Sequence, residues 1–171
     1  MKKTFLLGSL CSALLLAGCG QKDTSAPAGA TASNAPAAKA AAPAGPRVIE
    51  ITANDQMKYS VTSIEAKPGE DLKVVLTNMG TLPKEAMGHN FVLLKADADP
   101  ASFAAAAMAA KETDYVPASL AGQVIARIET LGPRKSGEVT FKAPSAPGTY
   151  TYLCSFPGHF LIGMKGTLVV K

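Results

Sequence analysis

Charge gathers in no block of one sign, no apolar run reaches the length of a membrane-crossing helix, and only two histidines and three cysteines occur in 171 residues. Each scarcity excludes something. The 17 basic and 13 acidic residues give a formal net charge of +4, too weak for a nucleic-acid footprint and too scattered for partners chosen by a strong field. The leading apolar run, Phe5 to Leu16, falls short of the roughly 20 residues a span requires. It follows Lys2 and Lys3 and gives way to small residues, which is the layout of a secretory signal.

That run ends Leu16-Ala17-Gly18-Cys19, which resembles the lipobox of bacterial lipoproteins; the alternative is an ordinary signal peptide that happens to contain cysteines. The resemblance implies that residues 1–18 are removed and that Cys19 becomes a diacylated and N-acylated first residue, two or more acyl chains being what stable anchoring takes. Gly20 is not the aspartate that retains a lipoprotein at the inner membrane. In a Gram-negative envelope the expected place is therefore the periplasmic face, at the outer membrane rather than the inner. Thr24 to Pro46 is almost wholly Ala, Pro, Ser, Thr and Gly, with Lys39 as its one charge, and lacks the large apolar residues that would offset the entropy of ordering it. Residues 19–46 then read as a lipidated tether reaching up to about 70 Å, and 47–171 as the single folded domain. Cys11 leaves with the signal and Cys19 carries lipid, so Cys154 is the one thiol of that domain and no disulfide forms within it. A lone thiol in an oxidising compartment needs an explanation.

From Arg47 onward the chain turns to short β-branched runs: Val48 to Thr52, Met57 to Val61, Leu72 to Thr77, Asn90 to Leu94, Val124 to Leu131, Val139 to Lys142, Thr149 to Cys154 and Thr167 to Val170. Val139/Phe141 and Tyr150/Tyr152/Cys154 alternate with smaller or polar residues, as strands do when one face packs on a core. Turn signals at Lys67-Pro68-Gly69, Gly132-Pro133, Ser136-Gly137 and Ala146-Pro147-Gly148 separate them. An all-β sandwich is the expected class. Ala101 to Lys111 breaks the order: it is alanine-rich and follows Asp99-Pro100, so it reads as a short inserted helix.

The chemistry concentrates in two places. Cys154-Ser-Phe-Pro-Gly-His159-Phe-Leu-Ile-Gly-Met164 puts a thiol, an imidazole and a thioether on one loop between strands, and Met87-Gly88-His89-Asn90 holds the other histidine. Two neutral imidazoles, a thiolate and a weak axial thioether are what a blue-copper centre takes, matching His89, His159, Cys154 and Met164 in type and number. Singly, each has a plainer reading as packing or surface, Cys154 as a buried inert thiol included. A thiol enzyme with Cys154 as nucleophile and His159 as base lacks an orienting acid nearby and leaves Met164 idle. A structural zinc site accepts Cys and His, but methionine is a poor zinc ligand.

These segments, with Asn54-Asp55-Gln56-Met57, Leu82-Pro83-Lys84, Val124-Ile125-Ala126 and Met164-Lys-Gly-Thr-Leu168, resemble azurins in order and spacing from Arg47 to Lys171. The resemblance implies a Greek-key cupredoxin sandwich of about eight strands, one copper ion cycling between Cu(I) and Cu(II), and no enzymatic activity. It implies single-electron transfer in the bacterial envelope with transiently bound redox partners such as cytochromes or reductases. Electrons would pass through an exposed edge of His159 beneath an apolar patch of Met57, Leu82, Met87, Met108, Phe156, Pro157 and Gly158. Asn90 would tie the two ligand segments together at Ser155, the backbone N–H groups of Asn90 and Phe156 would face the thiolate, and the Gly88 carbonyl would be a distant fifth ligand. One departure stands out: four residues, Phe160 to Gly163, separate His159 from Met164 where azurins usually have three, a spacing shared with auracyanins and plastocyanins. The competing reading is a protein that buffers or delivers copper through the same ligands.

Overall fold

In the computed structural model, residues 45–171 are described; the signal, Cys19 and nearly all of the tether lie outside the described residues. Alternation sets the architecture. In β1 (Arg47–Ala53) Ile49, Ile51 and Ala53 are buried while their neighbours face water, and β3 (Asp71–Asn78) repeats the pattern with Leu72, Val74, Leu76 and Asn78. These two run parallel, and β6 (Ser136–Lys142) pairs antiparallel with β3, closing a three-stranded sheet in the order β1-β3-β6. The facing sheet has five strands in the order β2-β8-β7-β4-β5, with β2 at Ser63–Ala66, β4 at His89–Leu94, β5 at Val124–Leu131, β7 at Gly148–Leu153 and β8 at Lys165–Val170. Between the sheets lies one core that includes Ile51, Leu72, Leu76, Phe91, Tyr152 and Leu168.

Strand β4 departs from alternation, since all six of its residues are buried. Its outer face is covered by the segment that follows it, where Phe103 and Val116 pack with Val92, Leu94 and Leu153 in a second apolar cluster. A strand buried on both faces reads as an unbroken apolar run, as Phe91 to Leu94 does. The covering flap contains α2 (Pro100–Ala107), started by Asp99, whose carboxylate accepts the N–H groups of Ala101 and Ser102. This helix ends four residues before the expected Lys111, because Met108, Ala109 and Ala110 tighten into three-residue bonds and a separate 3₁₀ turn follows at Lys111–Thr113. Among the described residues no helix is long and apolar enough to cross a membrane.

The expected strand over Met57 to Val61 does not form. Met57 has φ of +56°, its N–H donates to the Asn54 carbonyl and the Gln56 N–H to the Asn54 side chain, so the chain turns there, leaving a single bridge between Ala53 and Tyr59. The strand arrives later, as Ser63–Ala66, paired in parallel with β8.

Candidate metal centre

Both histidines and the thiol come together at one end of the sandwich. His89 opens β4 directly after a short helix, α1 (Lys84–Met87), and Gly88. Cys154 immediately follows β7 and Met164 immediately precedes β8, so His159 sits on the loop that joins the two strands. One donor atom each from His89, Cys154 and His159 lies within 4.8 Å of the others, and all three residues are buried. Cys154 Sγ is 3.4 Å from His159 Nδ1. Met164, fully buried, donates its N–H to the His159 carbonyl and accepts the Cys154 N–H, which locks the loop's three donor residues into one backbone unit.

Burial dominates the electrostatics of the three residues and favours the neutral form of each. Burial pushes the Cys154 thiol up to about 12, while the backbone N–H groups of Asn90 and Phe156 act in the opposite sense on the sulfur. Burial, and after it the proximity of His89, pushes His159 down to about 4. His89 is lowered too, chiefly by burial, with the Asn54 carbonyl and the Asp55 carboxylate opposing. Both rings are thus neutral near pH 7, as metal ligands must be. Neither nitrogen of His89 has a hydrogen-bond partner, although buried polar atoms are nearly always paired. One ion can take a single nitrogen of that ring, together with the thiol and the His159 imidazole, which suits a soft-to-borderline metal; the Asn54 carbonyl acts on the ring as well. The same burial and raised pKa run against a thiol nucleophile, which needs an exposed and acidified sulfur.

Asn90 joins the two halves of the site. Its Oδ1 accepts the Ser155 N–H at 2.8 Å and its Nδ2 donates to Ser155 Oγ at 2.8 Å, while its own carbonyl accepts the Tyr59 hydroxyl. Gly88 is required by packing: a Cβ there would fall 2.4 Å from Thr130 Cγ2 and 2.7 Å from the Lys84 carbonyl. Of the expected surface patch, Met108, Leu82 and Gly158 are exposed, Met57, Met87 and Pro157 are half-buried, and Phe156 is buried at 8 % exposure. His159 exposes only 2 %, far less than an open edge, because the Phe156 ring stands 4.7 Å from its own.

Several contributors escaped the sequence reading. Leu161 and Ile162, at 79 % and 52 % exposure, stand beyond His159 on the same loop; two consecutive aliphatics inside a ligand loop, outside any strand alternation, were the available signal. Asp55 binds the adjoining loop by accepting the Thr81 N–H and hydroxyl, which holds its carboxyl below the usual range. Asp114, Tyr115 and Thr130 carried no motif.

A two-sheet sandwich with two imidazoles and a thiol converging at one end defines a mononuclear metal-binding domain of the cupredoxin kind. Residues 47–171 match the family of copper binding proteins described as plastocyanin/azurin. The chain is similar to azurin of Pseudomonas fluorescens biotype A, 39 % identical over 133 residues that cover 72 % of this chain and 97 % of that one. It is also similar to auracyanin-B of Chloroflexus aurantiacus, 35 % identical over 139 residues, which are 75 % of this chain and 57 % of that protein. The sodium-dithionite-reduced auracyanin of Roseiflexus castenholzii superposes with a TM-score of 0.66 at 33 % identity, covering 74 % of this chain and 98 % of that one. The chain belongs to the plastocyanin/azurin family of copper-binding proteins, and its donor set fits one copper ion.

Proposed function

We propose that this domain is a blue-copper carrier of single electrons. The observation that carries the reading is the buried His89, Cys154 and His159 set, whose donor atoms lie within 4.8 Å of one another. Copper supplies a one-electron couple at such a site. The chain's part is to hold the donors still. His89, Cys154 and His159 would bind the ion, with the Met164 thioether and the Gly88 carbonyl as weaker donors. Their positions are fixed by Asn90 across to Ser155 and by the backbone bonds among Cys154, His159 and Met164. A site already braced on every side changes little between two oxidation states, which keeps the cost of each transfer low. His159, on the loop that also carries the exposed Leu161 and Ile162, is the donor through which electrons would enter and leave. The exposed residues Leu82, Met108, Gly158, Leu161 and Ile162 suit a small, brief contact with a redox protein such as a cytochrome or a reductase. Complete burial of the donors argues against a buffering or delivery role, because metal handed onward must be reachable by the receiver.

The lipobox-like Leu16 to Cys19 supports a lipid anchor on Cys19, and Gly20 supports the periplasmic face of the outer membrane. Absorption spectra of the chain from Arg47 onward, loaded with copper and oxidised, test the function beside Cys154→Ser. An intense blue thiolate-to-copper band, lost on reduction and absent from the variant, is expected, with copper retained against a chelator in both oxidation states. A colourless wild type overturns the copper site; a blue protein that surrenders its copper on reduction overturns the carrier.

A further inference from the structure

Asp114 and Tyr115, consecutive residues of the flap, both have positive φ, 56° and 60°. Side chains with a Cβ adopt that region at a cost, and it persists only where the surroundings over-determine it. Part of the cause is local, since Asp114 caps the Lys111–Thr113 turn with its N–H on the Lys111 carbonyl and the Tyr115 N–H reaches the Ala110 carbonyl; what the cap does with the two side chains is turn them to the two ligand segments. Asp114 Oδ2 accepts the Thr130 backbone N–H at 2.7 Å. Thr130 in turn presses its methyl group against Gly88, and its Oγ1 lies 3.5 Å from Asn90 Nδ2, so it touches the residues on either side of His89. Tyr115 turns toward the other segment. Its ring centroid is 5.0 Å from that of Phe156, whose own centroid is 4.7 Å from His159. Covering β4 does not require this pair, since Phe103 and Val116 already do so.

We propose that the Asp114–Tyr115 pair is a clamp by which the flap fixes the His89 segment and the His159 loop relative to each other before any metal arrives. Asp114 works through Thr130 and Tyr115 through Phe156; both are positioning residues that touch no donor atom themselves. What the clamp is for rests on reading His89, Cys154 and His159 as metal donors. That it exists does not.

Amide hydrogen exchange of the metal-free chain from Arg47 onward, which carries the whole sandwich core, separates the two. The variants are Tyr115→Leu, which removes the ring, Tyr115→Phe, which keeps it, Asp114→Gly, which removes the carboxylate without adding strain, and Val170→Ala, a core truncation in β8 remote from the site that controls for global stability. In Tyr115→Leu the His159 and Met164 amides, which donate to the carbonyls of Phe156 and His159, exchange about tenfold faster than in Val170→Ala compared at equal global stability. Tyr115→Phe stays at the wild-type rate. Asp114→Gly has its effect at Thr130 and Ser155 instead. Copper-loaded Tyr115→Leu also loses copper to a chelator several-fold faster than wild type. Unchanged loop exchange in Tyr115→Leu and Asp114→Gly, or the same acceleration in Val170→Ala, overturns the clamp. If the variants accelerate exchange as described but the wild type takes up no copper, the clamp stands and the metal reading falls.

Discussion

Replacing Asn90 by alanine is the sharpest test of how the site is braced. The side chain is fully buried and makes two good hydrogen bonds, both to Ser155, itself 1 % exposed. Losing the two bonds costs about 1 kcal/mol each in net terms, and leaving the Ser155 N–H buried without a partner adds about 1–2 kcal/mol. The sum is about 3–4 kcal/mol, a large share of the 5–15 kcal/mol by which domains are usually stable. Urea unfolding of the metal-free protein reads this directly: with a slope near 2 kcal/mol per molar, the midpoint falls by about 2 M. Ser155→Ala is the internal reference, because it deletes only the hydroxyl and keeps the backbone N–H on Asn90 Oδ1, at a cost of about 1 kcal/mol. If Asn90→Ala costs no more than Ser155→Ala, the backbone bond between the two segments contributes nothing and the bracing argument fails.

Because burial holds His159 near 4, below the unfolded value of about 6.5, the unfolded chain takes up a proton that the fold refuses. The stability of the metal-free domain is therefore full above about pH 6.5 and falls as pH drops toward 4; equal melting temperatures at pH 7.5 and 5 would contradict this. The Cys154 thiol, buried and pushed up to about 12, stays protonated at pH 8, so alkylation of the native metal-free protein runs at least about 100-fold slower than in urea, and loading with Cu(II) releases about one proton in a pH-stat. Gly88→Ala forces a methyl group to within 2.4 Å of Thr130 Cγ2 and 2.7 Å of a backbone oxygen. It lowers stability by about 2 kcal/mol or more in the same urea assay and changes the spectrum of the copper form, whereas Gly122→Ala, which meets nothing within 4 Å, does neither.

The donors were legible because chemistry restricts them. Few arrangements other than metal binding ask for Cys154, His159 and Met164 on one loop with a second histidine elsewhere, and loop spacing survives folding unchanged. The strands with clean alternation were legible for a similar reason, since β1, β3 and β8 declare their buried face residue by residue. Met57 to Val61 misled because its composition suits a strand while the backbone turns at a left-handed methionine. Ser63–Ala66 stayed hidden because four residues ending in Glu-Ala carry little β propensity, and what makes them a strand is the parallel edge offered by β8. The true exposure of His159 was invisible as well. Phe156 stacks near its ring, and Tyr115 packs on Phe156 from a segment distant in sequence.

The position of the donors in the chain also sets an order in time. His89 opens β4, but Cys154, His159 and Met164 all wait on the turn between β7 and β8, the last two strands of the sandwich. Strand β8 inserts between β2 and β7, so the five-stranded sheet has a gap until it is made. A chain emerging from its N-terminus carries one donor histidine from residue 89 and gains the thiol only at residue 154, shortly before β8 completes sheet, core and donor set almost together. The thiol thus reaches the interior with the last strand of the sandwich, and the full donor set exists only once that strand is in place.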